Sequence, residues 1–121
     1  MKILIVDDDY TTIEYLAREF RPQGFEVLEA PGAMEAMRII DENPDIKWVI
    51  TDMVMPEVDG DQLITMLTED KYDHIKIIAM TGQSLGFLTK TFAKHKAKKK
   101  IIPVLKPAKV ELIIKLMKKD G

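Results

Sequence analysis

The sequence predicts an α/β protein: a single doubly wound (βα)5 domain around a five-stranded parallel sheet. Short apolar runs alternate along the chain with segments whose apolar residues recur at the spacing of an amphipathic helix. The chain has 121 residues and no linker-like or repetitive stretch, which suits one domain. Because parallel strands need crossover helices, strict alternation favours a parallel sheet with helices on both faces.

The predicted strands are short runs rich in valine, isoleucine and leucine. The first, Lys2–Val6, is apolar almost throughout, which is typical of a strand buried on both faces. The others are residues 25–28, 48–51, 75–80 and Ile101–Leu105. Pro103 lies inside the fifth run and cannot donate a ladder hydrogen bond, which indicates an edge strand.

Each predicted helix shows an apolar stripe at helical spacing. The five stripes are Ile13, Leu16, Ala17 and Phe20; Ala33, Ala36, Met37 and Ile40; Leu63, Met66 and Leu67; Leu85, Leu88 and Phe92; and Val110, Ile113, Ile114 and Met117. Helix breakers follow the first two stripes, at Pro22-Gln23-Gly24 and at Asn43-Pro44.

Composition excludes several classes of protein. The 46% hydrophobic and 31% charged fractions are those of a globular protein, not of a disordered or collagen-like chain. The absence of cysteine removes disulfides, thiolate metal sites and cysteine nucleophiles, and favours a cytoplasmic location. No apolar run is long enough for a membrane helix, and the N-terminus lacks the pattern of a signal peptide.

The formal net charge of −2 conceals an asymmetry along the chain. Residues 1–89 carry 7 basic and 18 acidic side chains, whereas residues 90–121 carry 11 basic and 2 acidic ones. An acidic body with a basic C-terminal quarter is a feature that the function should explain.

Polar side chains follow four of the predicted strands, at the sheet edge where doubly wound proteins bind ligands. They are Asp7, Asp8 and Asp9; Thr51 and Asp52; Thr81 and Gly82; and Lys106. Taken singly, an aspartate or threonine after a strand is usually a helix cap, and a lysine is usually a solvated charge. Their joint occurrence at one edge instead indicates a functional site.

Converging carboxylates repel one another unless a cation joins them, and their hard oxygen ligands favour Mg²⁺. A carboxylate is also a competent nucleophile that forms an aspartyl-phosphate. A metal and a lysine neutralise the oxygens of a transferring phosphoryl group. Together, carboxylate, Mg²⁺, hydroxyl and ammonium can support phosphoryl transfer to an aspartate.

Four motifs that contain these residues follow one another along nearly the whole chain and match the pattern of a known family. They are Ile3-Leu-Ile-Val-Asp7-Asp8, Asp52-Met-Val-Met-Pro56-Glu-Val-Asp-Gly60, Met80-Thr81-Gly82 and Leu105-Lys106-Pro107. This pattern resembles the receiver domain of two-component response regulators of the chemotaxis-regulator type. The resemblance implies the flavodoxin-like strand order 2-1-3-4-5, a receiver domain over residues 1–121 and no output domain in the chain.

The resemblance also implies roles for individual residues. Asp52 is the expected phosphoacceptor. Asp7, Asp8, Asp52 and the backbone carbonyl of Val54 are the expected metal-binding set. Thr81 and Lys106 are the expected phosphoryl-binding and switch residues, and a cis bond before Pro107 is expected to aim Lys106 into the site. Pro56 and Gly60 are the expected turn residues before the third helix.

Two departures from the family pattern bear on mechanism. Receivers usually carry an aromatic switch residue three positions before the lysine, but this chain has Pro103, so a signal must travel through backbone shifts. Positions that tune autodephosphorylation in relatives hold Val54 and Gln83. Because an apolar side chain cannot orient an attacking water, we expect a long-lived phosphoryl group.

A phosphatase of the haloacid-dehalogenase type is the alternative. The segment Asp7-x-Asp9-x-Thr11 after a strand fits that superfamily's nucleophile and acid/base pair, and Thr81 and Lys106 imitate its later motifs. No acidic pair follows Lys106, however, no cap insertion is present, and the segment from Asp52 to Gly60 stays unexplained. We therefore expect no enzymatic activity beyond the chain's own phosphorylation and dephosphorylation.

The expected phosphodonor is a histidine kinase or a histidine phosphotransfer protein.

The lysines of residues 90–119 are either a solvated surface or a face for an acidic protein partner. That face comprises the predicted fourth helix, fifth strand and fifth helix, which receivers use for output. Leu112 and Leu116 either cover the fifth strand or form an apolar patch for a homodimer. Aromatic residues are too sparse there to predict nucleic-acid binding, and no membrane partner is expected. The chain is either a stand-alone regulator or a fragment of a longer one.

Overall fold

The computed structural model describes residues 1–55, 59–82 and 101–120. Five strands form one sheet: β1 (Lys2–Val6), β2 (Glu26–Ala30), β3 (Ile46–Asp52), β4 (Lys76–Thr81) and β5 (Ile101–Leu105). Their order is β2-β1-β3-β4-β5, and every neighbouring pair is parallel. The predicted fold class and the flavodoxin-like strand order are therefore confirmed.

Helices connect the strands. They are α1 (Tyr10–Phe20), α2 (Ala33–Glu42), α3 (Gly60–Met66) and the C-terminal helix α4 (Val110–Asp120), with short 3-10 turns at Arg21–Gln23 and Asp70–Tyr72. The C-terminal helix α4 is the fifth helix of the sequence prediction. The predicted fourth helix, marked by Leu85, Leu88 and Phe92, lies outside the described residues. No helix in the described ranges is long and apolar enough to cross a membrane.

The sheet separates two hydrophobic cores. Successive strand residues point to opposite faces, so Leu4 and Val49 join the core beneath α2 and α3, whereas Ile5 and Ile50 join the core beneath α1 and α4. All four side chains are completely buried. This two-sided burial explains why the central strands read as unbroken apolar runs.

Three strands extend beyond their predicted bounds, and β4 does so by a shift of one residue, from residues 75–80 to Lys76–Thr81. β3 begins at Ile46 rather than at residue 48, because the exposed Lys47 interrupts the apolar run without ending the strand. β2 covers residues 26–30 rather than 25–28, with Glu26 exposed and Val27 buried. Being at an edge of the sheet, β2 tolerates polar residues that hide it from a search for apolar runs.

β5 forms the opposite edge of the sheet and pairs with β4 alone. Pro103 lies opposite Ala79 in that pairing, in an exposed position. A proline is tolerated there because its missing N–H costs no hydrogen bond on the open side of an edge strand. The edge position that Pro103 predicts for this strand is confirmed.

Candidate functional site

The carboxyl ends of four neighbouring elements meet at one edge of the sheet. Asp7 directly follows β1, Asp52 ends β3, Thr81 ends β4 and Lys106 directly follows β5. Asp7 and Thr81 are completely buried, and Asp52 is 7% exposed. Charged groups are rarely buried without a partner, so this concentration distinguishes the edge from the rest of the described surface.

Three carboxylates at this edge are close enough to share one metal ion. Asp7, Asp8 and Asp52 each offer an oxygen, and these oxygens all lie within 4.8 Å of one another. Asp7 and Asp52 are buried, whereas Asp8 is exposed. A donor set made only of carboxylate oxygens suits a hard divalent cation such as Mg²⁺, and the residues present therefore fit the metal that the sequence predicts.

Lys106 joins the carboxylates from the other side. Its Nζ lies 2.9 Å from Oδ2 of Asp7 and 3.4 Å from Oδ2 of Asp52, although 99 positions separate it from Asp7. The backbone N–H of Lys106 donates to the carbonyl of Thr81 at 2.7 Å, which ties the end of β5 to the end of β4. The bond between Lys106 and Pro107 is cis.

The environment of Asp52 disfavours its charged form. Burial raises the pKa of this carboxyl above its usual value, and the negative charge of Asp7 raises it further. The charge of Lys106 and the N–H of Val54, which donates to Oδ1 of Asp52 at 3.3 Å, oppose that rise without cancelling it. A cation bound between these carboxylates would relieve the repulsion.

Lys106 is held in its charged form. Burial by itself would lower its pKa, but the hydrogen bond to Asp7 and the negative charges of Asp52 and Asp7 outweigh burial and raise it. The lysine is therefore a fixed positive charge beside Asp52. Such a charge stabilises anionic oxygens that approach the carboxylate.

Asp9 caps a helix, whereas Asp7 and Asp8 belong to the carboxylate cluster. Its carboxylate accepts hydrogen bonds from the backbone N–H of Thr11 at 3.0 Å and from the Thr11 hydroxyl at 2.6 Å, which caps α1. Its own N–H donates to Oδ1 of Asp7 at 2.9 Å. Asp9 is thus engaged in the helix cap and is not among the clustered carboxylates.

Gly60 lies against the backbone of the candidate phosphoacceptor. A Cβ atom at this position would lie 2.5 Å from the carbonyl oxygen of Asp52 and 2.8 Å from Cα of Met53. The N–H of Gly60 donates to the Met53 carbonyl at 3.2 Å. Only a glycine allows α3 to begin this close to the end of β3. Pro56, the other predicted turn residue, lies outside the described residues.

The predicted tuning and switch positions are only partly described. Val54 is 58% exposed beside Asp52, which makes it one of the large apolar side chains at the surface. Pro103 is exposed on β5, whereas Gln83 lies outside the described residues.

Two features of this edge go beyond the sequence predictions: the capping box in which Asp59 takes part and the direction of the Thr51 side chain. Asp59 caps α3, and its carboxylate and the Gln62 side chain each bond the other's backbone N–H in a capping box. The spacing Asp-x-x-Gln was the available signal. Thr51 was grouped with the edge residues, yet it precedes Asp52 in β3, so its side chain points to the opposite face of the sheet.

Of the basic C-terminal face, the structure describes β5, α4 and the residues between them. Lys109, Lys115, Lys118 and Lys119 are exposed, and the lysines between residues 90 and 100 lie outside the described residues. Leu112 is 49% exposed, whereas Leu116 packs against the core beneath α1 and α4. Leu116 therefore contributes to the core, whereas Leu112 of α4 and Leu105 of β5, which is 46% exposed, are exposed apolar residues of this face.

Comparison with known proteins gives a consistent result. A family model described as the response regulator receiver domain matches residues 3–118. The chain is 36% identical over 85 residues to a chemotaxis protein CheY homolog of Campylobacter jejuni; the match covers 69% of this chain and 65% of that protein, less than two thirds of its length. It is 38% identical over 85 residues to the chemotaxis protein CheY1 of Helicobacter pylori, covering 69% and 68%.

Solved structures agree in fold. The crystal structure of a response regulator receiver domain protein from Clostridium thermocellum superposes with a TM-score of 0.83 at 28% identity. That match covers 98% of this chain and 91% of the other.

Proposed function

The chain belongs to the response regulator receiver domain family, and on that premise we propose that it accepts a phosphoryl group on Asp52. The donor is a histidine kinase or a histidine phosphotransfer protein. The observation that supports this proposal most directly is the cluster of Asp7, Asp8 and Asp52 with the ammonium group of Lys106 beside it.

In the proposed reaction an oxygen of the Asp52 carboxylate attacks the phosphorus atom of the donor's phosphohistidine. The phosphorus–nitrogen bond breaks, and the imidazole nitrogen leaves with the electron pair. Lys106, already within 3.4 Å of the carboxylate, neutralises charge on the phosphoryl oxygens. Asp7, Asp8 and Asp52, with the Val54 carbonyl, would hold Mg²⁺, which supplies further positive charge when bound.

We propose that Thr81 and Lys106 communicate the change to the rest of the molecule. Their main chains are joined by the 2.7 Å hydrogen bond between β4 and β5, so a hydroxyl drawn to the phosphoryl group would move both strand ends. Pro103 cannot serve as an aromatic switch, and the signal would instead shift the population between two backbone arrangements of β5 and its neighbours.

The output face proposed for this switch is basic. Lys109, Lys115 and Lys119 are exposed on α4 or just before it, and Leu112 adds exposed apolar surface. We propose that an acidic protein partner binds there, in the cytoplasm. Light scattering with and without a phosphoryl mimic tests the choice of partner: a doubled mass would assign the face to a second copy of the chain.

Intact-mass measurement tests the proposed phosphoacceptor. The protein is incubated with Mg²⁺ and a small acyl phosphate donor, and a mass increase of one phosphoryl group is expected. Asp52→Asn removes the nucleophile and should abolish the increase. Asp73→Asn changes the charge equally at an exposed position away from the cluster and should leave it intact. Equal incorporation in all three proteins would refute the proposal.

The phosphatase alternative predicts different behaviour. It requires Asp7 as the nucleophile and Asp9 as the acid/base, with turnover of a phosphate ester. The engagement of Asp9 in the α1 cap is an observation against it, because that carboxylate bonds Thr11. Turnover of p-nitrophenyl phosphate that is lost in Asp7→Asn but kept in Asp52→Asn would favour the phosphatase.

A further inference from the structure

Thr51 is a polar residue in a segment that otherwise favours apolar ones. It follows Val49 and Ile50 in β3 and pairs with Val6 on one side and Ala79 on the other. Its side chain is completely buried. A buried hydroxyl without a hydrogen bond destabilises a protein, so the group needs a partner within the core.

That partner is the backbone of the candidate phosphoacceptor. The Thr51 hydroxyl donates to the carbonyl oxygen of Asp52 at 2.9 Å, and this hydrogen bond is buried. The same carbonyl oxygen lies against Gly60, where an added Cβ would be only 2.5 Å away. The Asp52 carbonyl is therefore held between a hydroxyl donor and the first residue of α3.

The chain leaves the sheet immediately after this carbonyl. The N–H of Met53 still donates to the Met80 carbonyl at 3.0 Å, and the N–H of Val54 turns back to Oδ1 of Asp52 at 3.3 Å. The Val54 amide binds Oδ1 of Asp52 and lies one residue beyond the peptide between Asp52 and Met53, so its direction depends on the orientation of that peptide. The carbonyl oxygen of that peptide is the atom that Thr51 binds.

We infer that Thr51 is a positioning residue for phosphoryl transfer: its buried hydroxyl fixes the Asp52–Met53 peptide and so aims the Asp52 carboxylate at the phosphodonor. This inference rests on the proposed function. It gives Thr51 a role from the face of the sheet opposite to the carboxylate cluster, without contact with donor or metal. Catalysis depends steeply on such alignment of the nucleophile.

Three variants separate the hydroxyl from the shape of the side chain. Thr51→Val keeps the β-branched shape and removes the donor, Thr51→Ser keeps the donor, and Thr51→Ala removes the donor if valine does not fold. Thr68→Val is the matched control, because its hydroxyl also donates to a backbone carbonyl, that of Thr65 at 2.7 Å, but at the end of α3. Thermal unfolding verifies that each variant is folded.

Two readouts are taken on every variant. The first is the rate of phosphoryl incorporation from a small acyl phosphate at saturating Mg²⁺. Thr51→Val should lower it roughly threefold to tenfold, as expected for loss of one aligning hydrogen bond. The second is amide hydrogen exchange, which should become faster at Met53 and Val54. Thr51→Ser should restore both values, and Thr68→Val should change neither.

Unchanged exchange at Met53 and Val54 in Thr51→Val would overturn the inference, and so would a serine variant as slow as the valine variant. Failure of the proposed function looks different. In that case the unmodified chain takes up no phosphoryl group. Two comparisons between wild type and Thr51→Val then test whether the hydroxyl fixes the Asp52–Met53 peptide. The first is the rate of amide exchange at Met53 and Val54, and the second is the Mg²⁺ concentration at which binding is half-saturated. Equal half-saturation and equal exchange would contradict it.

Discussion

Asp52 occupies a position that lowers the stability of the metal-free protein. Its carboxylate is buried beside the negative charge of Asp7, and these two influences raise its pKa in spite of Lys106. A group whose charged form is disfavoured in the folded state reduces the free energy of unfolding at neutral pH. We propose that this position serves reactivity and metal binding instead.

Replacing the charge should therefore stabilise the protein. We expect Asp52→Asn to raise the unfolding temperature at neutral pH in a chelator, because it removes the repulsion with Asp7. The exposed control Asp73→Asn should change the free energy of unfolding by no more than about 0.5 kcal/mol. Thermal unfolding of the three proteins measures this, and an asparagine variant less stable than wild type would show that the Lys106 attraction dominates.

The same carboxylates should couple stability to magnesium. A ligand that binds the folded state alone adds about 2.7 kcal/mol at a hundredfold excess over its dissociation constant. Mg²⁺ should thus raise the unfolding temperature of wild type, and much less that of Asp52→Asn, which lacks one of the clustered carboxylates. An equal increase in both proteins would mean that the ion binds elsewhere.

Val54 is expected to prolong the life of the phosphoryl group. Its exposed side chain stands beside Asp52 and offers no hydrogen bond to an attacking water. We expect Val54→Asn to shorten the phosphoryl half-life roughly tenfold, the effect of one well-placed hydrogen bond on a rate. Val54→Ala, which stays apolar, is the control. Decay followed by intact mass decides, and an unchanged half-life in the asparagine variant would contradict the expectation.

At the scale of elements, the junction between β3 and α3 depends on Gly60. A methyl group there would meet the backbone of Asp52 and Met53 at 2.5 and 2.8 Å, and backbone atoms cannot move aside cheaply. We expect Gly60→Ala to lower the free energy of unfolding by about 1–3 kcal/mol, the usual cost of overpacking. Gly82→Ala, whose Cβ would meet no atom of the described residues within 4 Å, should be nearly neutral. Denaturant unfolding that finds the two variants equally stable would contradict this account of the junction.

The first turn of α3 has its own support. Asp59 and Gln62 satisfy each other's backbone N–H groups. We expect Asp59→Ala to cost about 0.5–2 kcal/mol of stability, and Asp59→Asn, which can still cap, to cost much less. Urea denaturation compares the two variants, and an alanine variant as stable as the asparagine variant would mean that the cap contributes nothing.

The bounds of the strands show which elements can be predicted from the sequence and which cannot. β1 and β5 have the predicted bounds, because their apolar runs coincide with the strands. The predicted range of β2 is shifted and that of β3 is too short, because Glu29 and Lys47 look like ends of a strand when tertiary pairing is unknown. The Asp59–Gln62 capping box could have been predicted from the Asp-x-x-Gln spacing alone.

Across the whole molecule, the candidate site was predictable because a parallel sheet places all strand carboxyl ends at one edge. That rule brings Asp7, Asp52 and Lys106 together from distant parts of the chain. It cannot give the contacts within the edge. The engagement of Asp9 with Thr11 and that of Thr51 with the Asp52 carbonyl depend on local backbone geometry that no spacing reveals.

The acidic and basic parts of the sequence contribute to different surfaces of the molecule. Acidic side chains from the first half converge at the strand ends, whereas exposed lysines line α4. The net charge of −2 is thus the sum of two surfaces of opposite charge, for which we propose a cation with a phosphoryl group and an acidic partner, respectively.

The central claim is that Asp52 is the residue that carries the phosphoryl group. Treating the Mg²⁺-dependent phosphorylated protein with borohydride reduces an aspartyl phosphate to homoserine and leaves free carboxylates intact. Peptide mass spectrometry then locates the altered residue. We expect homoserine at position 52 and nowhere else in the chain. Homoserine at position 7, or none in a protein that has gained the phosphoryl mass, would contradict it.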